Sequence, residues 1–160
     1  MSDSVLKYRK FESGDTTPIY GLIWRVFSEF EAPEYSEEGI QTFRAFIAPV
    51  SLANQIREGR LTVYCCSMEG VLVGVLAYRD FNHISLLFVD AKHHRKGIAK
   101  ELLRISLKEL VETGIAVEEI TVNSSLYAVE IYKKMGFEPI DSMQIKNGIR
   151  FVPMKKMLQG

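Results

Sequence analysis

The chain is poor in cysteine. Of its 160 residues only Cys65 and Cys66 are cysteines, and they are adjacent. Neighbours in sequence make a poor disulfide pair and have no metal-site spacing. The pair therefore reads as two buried thiols in a reducing cytoplasm, facing opposite sides if they lie in a strand. Charge of one sign is also missing: Lys plus Arg is 20, Asp plus Glu is 20, and the net charge is zero. No global positive field exists to hold nucleic acid or an anionic membrane. No apolar run approaches the roughly 20 residues that span a bilayer, and Met1 to Lys10 lacks the apolar stretch of a secretory signal. There is no G-x-x-x-x-G-K-[ST] and no G-x-G-x-x-G after a strand, which excludes P-loop and dinucleotide readings. His93-His94 has no third ligand in its pattern, so no metal is expected.

What is present is ordinary globular material. Apolar residues make up 47% and charged residues 25%, which sets aside disorder and coiled coil. The length fits one domain over residues 1–160. Val5–Phe11 alternates like a strand. Asp15-Thr16-Thr17-Pro18 predicts a helix start with a capping oxygen, the helix running to about Phe30. Ser36-Glu37-Glu38 opens a second helix that Pro49 stops near Ala48. A short third helix, capped by Ser51, ends near Gly59. Leu61–Ser67 and Val71–Phe81 form a hairpin across Met68-Glu69-Gly70, and Ile84–Val89 is an uncharged central strand. Gly97–Thr113 is an amphipathic helix. Glu119–Val122 is a short strand, Ser125–Met135 a helix, and Met143–Lys146 and Ile149–Met154 a hairpin over Asn147-Gly148. The class is α/β (α+β). A mixed, mostly antiparallel sheet of about six to seven strands is flanked by about four to five helices.

The stretch from Leu86 to Ala99 is a buried strand, then a basic loop, then small residues opening the long helix. The first turn of a helix leaves N–H groups unpaired, and the macrodipole adds positive charge there. Gly97 and Ala99 keep side chains clear of a phosphate, and Lys92, Arg95 and Lys96 supply donors. An anion site and a solvated basic turn both fit this stretch when it is taken alone.

His94-Arg95-Lys96-Gly97-Ile98-Ala99 resembles the Q/R-x-x-G-x-G/A coenzyme A pyrophosphate loop of the GNAT superfamily of N-acetyltransferases. Val89 matches the valine that closes the preceding strand. Ala128 to Phe137 resembles the family's A-x-x-x-Y-x-x-x-G-F signature, and Val122-Asn123-Ser124 its strand end. The matched span is about Ile84 to Phe137. The first motif position is His94 rather than Gln or Arg, and the Ile84–Val89 strand lacks the glutamate that some members use as a base.

The resemblance implies an acetyl-CoA-dependent acyltransferase. The backbone of Leu87, Phe88 and Val89 would hold the pantetheine arm and acetyl carbonyl. His94, Arg95, Lys96, Gly97, Ile98 and Ala99 would cradle the pyrophosphate, with Asn123 nearby. Tyr132 would be the general acid that protonates the departing thiolate. The acceptor would be a primary amine of a small molecule or peptide that attacks directly in a ternary complex, since neither cysteine sits in a nucleophile context. Glu29, Glu31, Tyr35, His83 and Ser85 are the candidates on the acceptor side, with Glu29, Glu31, His83 or a water chain as the base. Two other readings stand beside this one: an acyl-CoA-binding regulatory module without turnover, and a protein or peptide acetyltransferase. The strands near Met143–Met154 offer edges for a homodimer.

Overall fold

The computed structural model describes residues 5–158. The chain runs β1 (Leu6–Lys10), α1 (Thr16–Phe30), a 3-10 turn at Ala32–Glu34, α2 (Glu37–Ile47), α3 (Pro49–Arg57), β2 (Thr62–Met68), β3 (Val71–Arg79) and β4 (His83–Val89). After a second 3-10 turn at Ala91–His93 come α4 (Ile98–Glu112), β5 (Glu119–Ser124), α5 (Val129–Lys134), β6 (Glu138–Pro139), β7 (Gln144–Lys146) and β8 (Ile149–Met157). The sheet order is β1-β2-β3-β4-β5-β8-β6, with β7 paired to β8. Every pair is antiparallel except β4 with β5. Among the described residues the strands number eight, more than the six to seven expected. The additional one, β6, is two residues long and carries no periodic signal.

Two apolar cores lie on opposite faces of the sheet. One packs Ile19, Leu22, Ile23, Val26 and Phe27 of α1, Ile47 of α2 and Leu52 of α3 against Val63, Cys65, Val75, Leu86 and Phe88. The other packs Ile98, Leu102 and Leu103 of α4 and Tyr132 of α5 against Cys66, Leu76, Tyr78, Ile84 and Val122. The two cysteines thus face opposite sides, as their adjacency in a strand requires. Burial pushes the Cys65 thiol up to about 12, so it carries no thiolate at neutral pH.

Two bulges adjust these faces. The β3–β4 register slips between Ala77 and Tyr78, which pair with Leu86 and Ile84. Ser85 is left as the extra residue, so Ile84 and Leu86 face opposite cores although they are two apart. A second slip leaves Val73 unpaired and turns Gly74 toward α4. A Cβ at Gly74 would stand 2.8 Å from Ile98 Cγ2, so the missing side chain lets the first turn of α4 lie directly on the sheet.

Two helix starts differ from expectation. Asp15 stands at the capping position just before α1, but its side chain makes no capping bond. Its carboxylate accepts instead from Arg9 at 2.7 and 3.1 Å and from the Glu12 N–H at 2.8 Å, because a bidentate guanidinium outbids a single amide. The third helix begins at Pro49 rather than after Ser51, since proline at the first position lacks only an N–H that would be unpaired there anyway. The last expected helix shortens to Val129–Lys134, its first residues forming a turn.

Candidate active site

The site begins where the sheet comes apart. β4 and β5 are registered only at His83–Thr121 and Ile84–Val122. Beyond that point β4 has a partner only in β3, and β5 only in β8. The Asp90 N–H bonds to the Val73 carbonyl on β3 at 2.8 Å. Alternation along an antiparallel strand then turns the N–H and C=O of Phe88 toward β3 and those of Leu87 and Val89 into the gap. Of the three backbone donors expected to hold an acetyl carbonyl, two therefore face the opening and that of Phe88 does not.

The basic loop lies at the mouth of this gap. Arg95 and Gly97 both hold left-handed backbone, at φ 66° and 76°. Such alternation points successive N–H groups into one concavity, an anion-binding nest. Glu101 is the first residue of α4 whose N–H is answered by a carbonyl, that of Gly97 at 2.9 Å. The donors of Ile98, Ala99 and Lys100 precede it at the positive end of the helix. A Cβ at Gly97 would meet nothing within 4 Å, so the space before the loop is open. Nest, helix terminus and open space together fit a pyrophosphate. His94 does not point into the nest: its Nε2–H donates to the Val89 carbonyl at 2.8 Å, tying the loop to the free edge of β4.

From one face of the sheet the end of α1 reaches the gap. The Phe30 ring lies 5.3 Å from that of His94 and stacks on Tyr127 at 5.1 Å, spanning from the β4 side to the β5 side. Glu31 follows and is 8% exposed. Ser125 acts against that burial, favouring the charged form of the carboxyl. Ser125 Oγ accepts from the Ala128 N–H at 3.2 Å. Burial and the neighbouring Glu34 push the Glu31 carboxyl up to about 7. Glu34 itself accepts from the Tyr127 N–H at 3.1 Å, bridging the α1–α2 connection to the start of α5.

Tyr132 approaches from the opposite face and is 6% exposed. Burial, then the charge of Glu31, then Tyr78, raise its phenol above the ordinary tyrosine range, so it remains an O–H at every working pH. Burial and Glu31 also raise Tyr35 and Tyr127. One carboxylate thus bears on three phenols. Over the α1–α2 connection sits the tip of the β7–β8 hairpin. The Gly148 carbonyl accepts from Ser36 N–H at 3.3 Å and Ser36 Oγ at 3.1 Å. A Cβ at Gly39 would stand 2.9 Å from the Gly148 carbonyl carbon, so both glycines are needed for this seat.

Leu87, Val89 and His94 to Ala99 lie along the gap and its mouth, and the charge of Glu31 bears on Tyr35 and Tyr132, whose rings pack on Phe27 at 4.8 Å and Phe137 at 5.3 Å. Asn123 is exposed near the end of β5. Glu29 is exposed on α1, while Glu31 two residues on is buried. His83 and Ser85 do not join the group. His83 sits at the closed end of the β4–β5 pair, its Nδ1 2.8 Å from Thr121 Oγ1. Ser85 opens on a recess shared with Arg79, Asp80 and Phe81, toward the far end of the strand. Ser125 and Tyr127 adjoin these residues and were not singled out from the sequence, whereas Phe30 and Glu34 lie within the Glu29–Tyr35 segment expected on the acceptor side. No pattern within one segment pairs the end of α1 with the start of α5. Among the described residues no group of three metal-ligating side chains is found, and no helix is long and apolar enough to cross a membrane.

Comparison with known proteins agrees with this geometry. Residues 31–158 match the model of the acetyltransferase (GNAT) domain. The uncharacterized N-acetyltransferase YafP of Escherichia coli (strain K12) is 22% identical over 141 residues, covering 88% of this chain and 87% of that protein. A GCN5-related N-acetyltransferase structure from Rhodopseudomonas palustris superposes with a TM-score of 0.80 at 21% identity, covering 99% of both chains. The PaiA N-acetyltransferase of Thermoplasma acidophilum, solved with coenzyme A, gives 0.80 at 19% identity, covering 96% of this chain and 99% of that one. With the matched domain model spanning most of its length, the chain belongs to the GNAT acetyltransferase family and is an acyltransferase.

Proposed function

We propose that this chain transfers an acetyl group from acetyl-CoA to a primary amine by direct attack, with both substrates held at the β4–β5 gap. The observation that carries this reading is the juxtaposition of an unpaired strand edge with the anion nest at Arg95–Gly97. The nest and the N-terminus of α4 hold the pyrophosphate. The gap-facing backbone of Leu87 and Val89 pairs with the extended pantetheine arm as a strand would. When bound, acetyl-CoA supplies an activated thioester carbonyl. A backbone N–H aimed at the oxygen of that carbonyl stabilises the charge that develops on it, worth roughly 3–4 kcal/mol where such a donor has been removed in other enzymes.

Tyr132 acts as the general acid. A leaving thiolate has a parent pKa near 8.5 and a phenol one near 10, so a phenol stays protonated until the sulfur needs the proton. The acceptor enters past the α1–α2 connection. The Gly148 tip, seated on Ser36 at the start of α2, stands beside that approach. A coenzyme-binding module without turnover is the second reading, and one observation favours it: the His94 side chain already engages the Val89 carbonyl.

The test is calorimetric titration with acetyl-CoA, repeated on Gly97→Glu and Lys96→Glu, with thermal unfolding as a check on folding. Micromolar binding that both variants weaken supports the site. No binding to the unaltered protein overturns it. Release of free thiol with any amine in a panel separates the enzyme from the silent module.

A further inference from the structure

We propose that His94 is a positioning residue that reserves the Val89 carbonyl for one kind of ligand: its imidazole donates to that carbonyl and yields it only to the amide N–H of a pantetheine arm. The inference rests on the coenzyme-binding reading above and deepens it. A strand-like arm can meet four groups on this edge, the N–H and C=O of Leu87 and of Val89. One of the four is already engaged, since His94 Nε2 stands 2.8 Å from the Val89 carbonyl oxygen. A carbonyl oxygen only accepts, so Nε2 carries the hydrogen. A ring at hydrogen-bond distance from a gap-facing oxygen lies in the gap itself, in the space that an added strand would take. The Phe30 ring, which lies 5.3 Å from the imidazole and stacks on Tyr127 toward β5, covers it from one face.

The ring can leave without disturbing the loop that carries it. The His94 backbone is held by the preceding 3-10 turn, where its N–H bonds to the Ala91 carbonyl at 3.3 Å and that of His93 to the Asp90 carbonyl at 2.8 Å. The nest begins only at the next residue, Arg95. Rotation of one side chain therefore frees the Val89 carbonyl while the anion-binding donors stay in place. Stripping that carbonyl of its donor costs free energy unless another donor takes over. A pantetheine amide does so. A nucleotide that lacks the arm fills the nest but brings no such donor, and it leaves the imidazole where it is. Discrimination of this kind follows wherever a site holds a polar group that the wrong ligand cannot satisfy.

The test compares coenzyme A with adenosine 3′-phosphate 5′-diphosphate, the same nucleotide without the arm. In His94→Ala the carbonyl is open beforehand. Calorimetry should show coenzyme A binding about fivefold tighter, the worth of one net hydrogen bond, and the armless nucleotide changed by less than about twofold. Unchanged or weaker binding of coenzyme A, or an equal change with both ligands, overturns the proposal. A second readout is independent of affinity. The His94 imidazole N–H, identified in nitrogen-15-labelled protein as the signal lost in His94→Ala, should be visible in the free protein. It should persist in saturating armless nucleotide and move or vanish when coenzyme A is added. A signal absent from the free protein, left in place by coenzyme A, or removed by the armless nucleotide overturns the assignment. Failure of the coenzyme-binding reading is separate and would appear as no coenzyme A binding by the unaltered protein.

Discussion

The two ends of the β4–β5 pair contain similar groups in opposite situations. At the closed end His83 is partly buried, and burial together with Arg79 pushes its imidazole down to about 4. Its Nδ1 is answered by Thr121, and the backbone around it is paired. At the open end Glu31 is buried and pushed the other way, to about 7. Burial disfavours the charged form in both cases. The difference lies in what is left over. The closed end leaves a neutral ring inside a finished hydrogen-bond pattern. The open end leaves strand edges without a partner, backbone donors turned into one concavity, and a carboxylate that none of the described ion pairs includes. A shifted pKa alone does not distinguish structure from chemistry, whereas unspent bonding capacity gathered in one place does.

The sharpest way to break this contrast is at Tyr132. Tyr132→Phe should lower kcat by about 100-fold or more while leaving the acetyl-CoA dissociation constant unchanged, as read by steady-state kinetics and calorimetry. An unchanged kcat would remove the acid from the open end. At the closed end Thr121→Val should do the reverse. It strips the partner from a buried imidazole nitrogen, which costs about 1–3 kcal/mol in urea unfolding, with kcat/KM nearly unaltered.

The pH dependence of stability should separate the two ends by sign. His83 has a folded value below its unfolded one of about 6.5. Its contribution is present above that pH and is lost as pH falls toward about 4. Glu31 has a folded value above its unfolded one, so its contribution is present below about 4.5 and lost as pH rises through about 7. Glu31→Gln should therefore gain stability at pH 8 relative to pH 5, by a few kcal/mol in urea midpoints. The smallest effect is expected at Ser125. Ser125→Ala removes an influence that favours the charged carboxylate, so the Glu31 carboxyl should titrate at higher pH, as read by carbon-13 NMR of labelled protein.

Much of this was legible before any coordinates, for a local reason. Gly97 and Ala99 report a backbone that must turn left-handed and leave room, and Tyr132 sits in a short segment with its own spacing. Such requirements are written within a few residues. Glu31 is different. Helical spacing sets Glu31, four residues after Phe27, on the buried stripe of α1 and Glu29 off it, but the partners near that helix end, Ser125 and Tyr127, lie nearly a hundred residues away. His83 and Ser85 were expected near the acceptor because they adjoin the central strand. Pairing with Thr121 and a one-residue bulge place them elsewhere, and neither leaves a mark on an alternating pattern.

Half of β4 is an edge strand in the middle of a sheet. Exposed edges invite another chain to add itself, and proteins usually blunt them with charge, proline or a cover. This edge is lined by Leu87 and Val89 and carries neither charge nor proline. It is capped by the imidazole of His94 at the Val89 carbonyl and screened by Phe30, which lies across to Tyr127. The same few side chains therefore protect the molecule from its neighbours: whatever parts them to admit a strand-like ligand also uncovers, for that interval, an apolar strand edge that another chain could pair with.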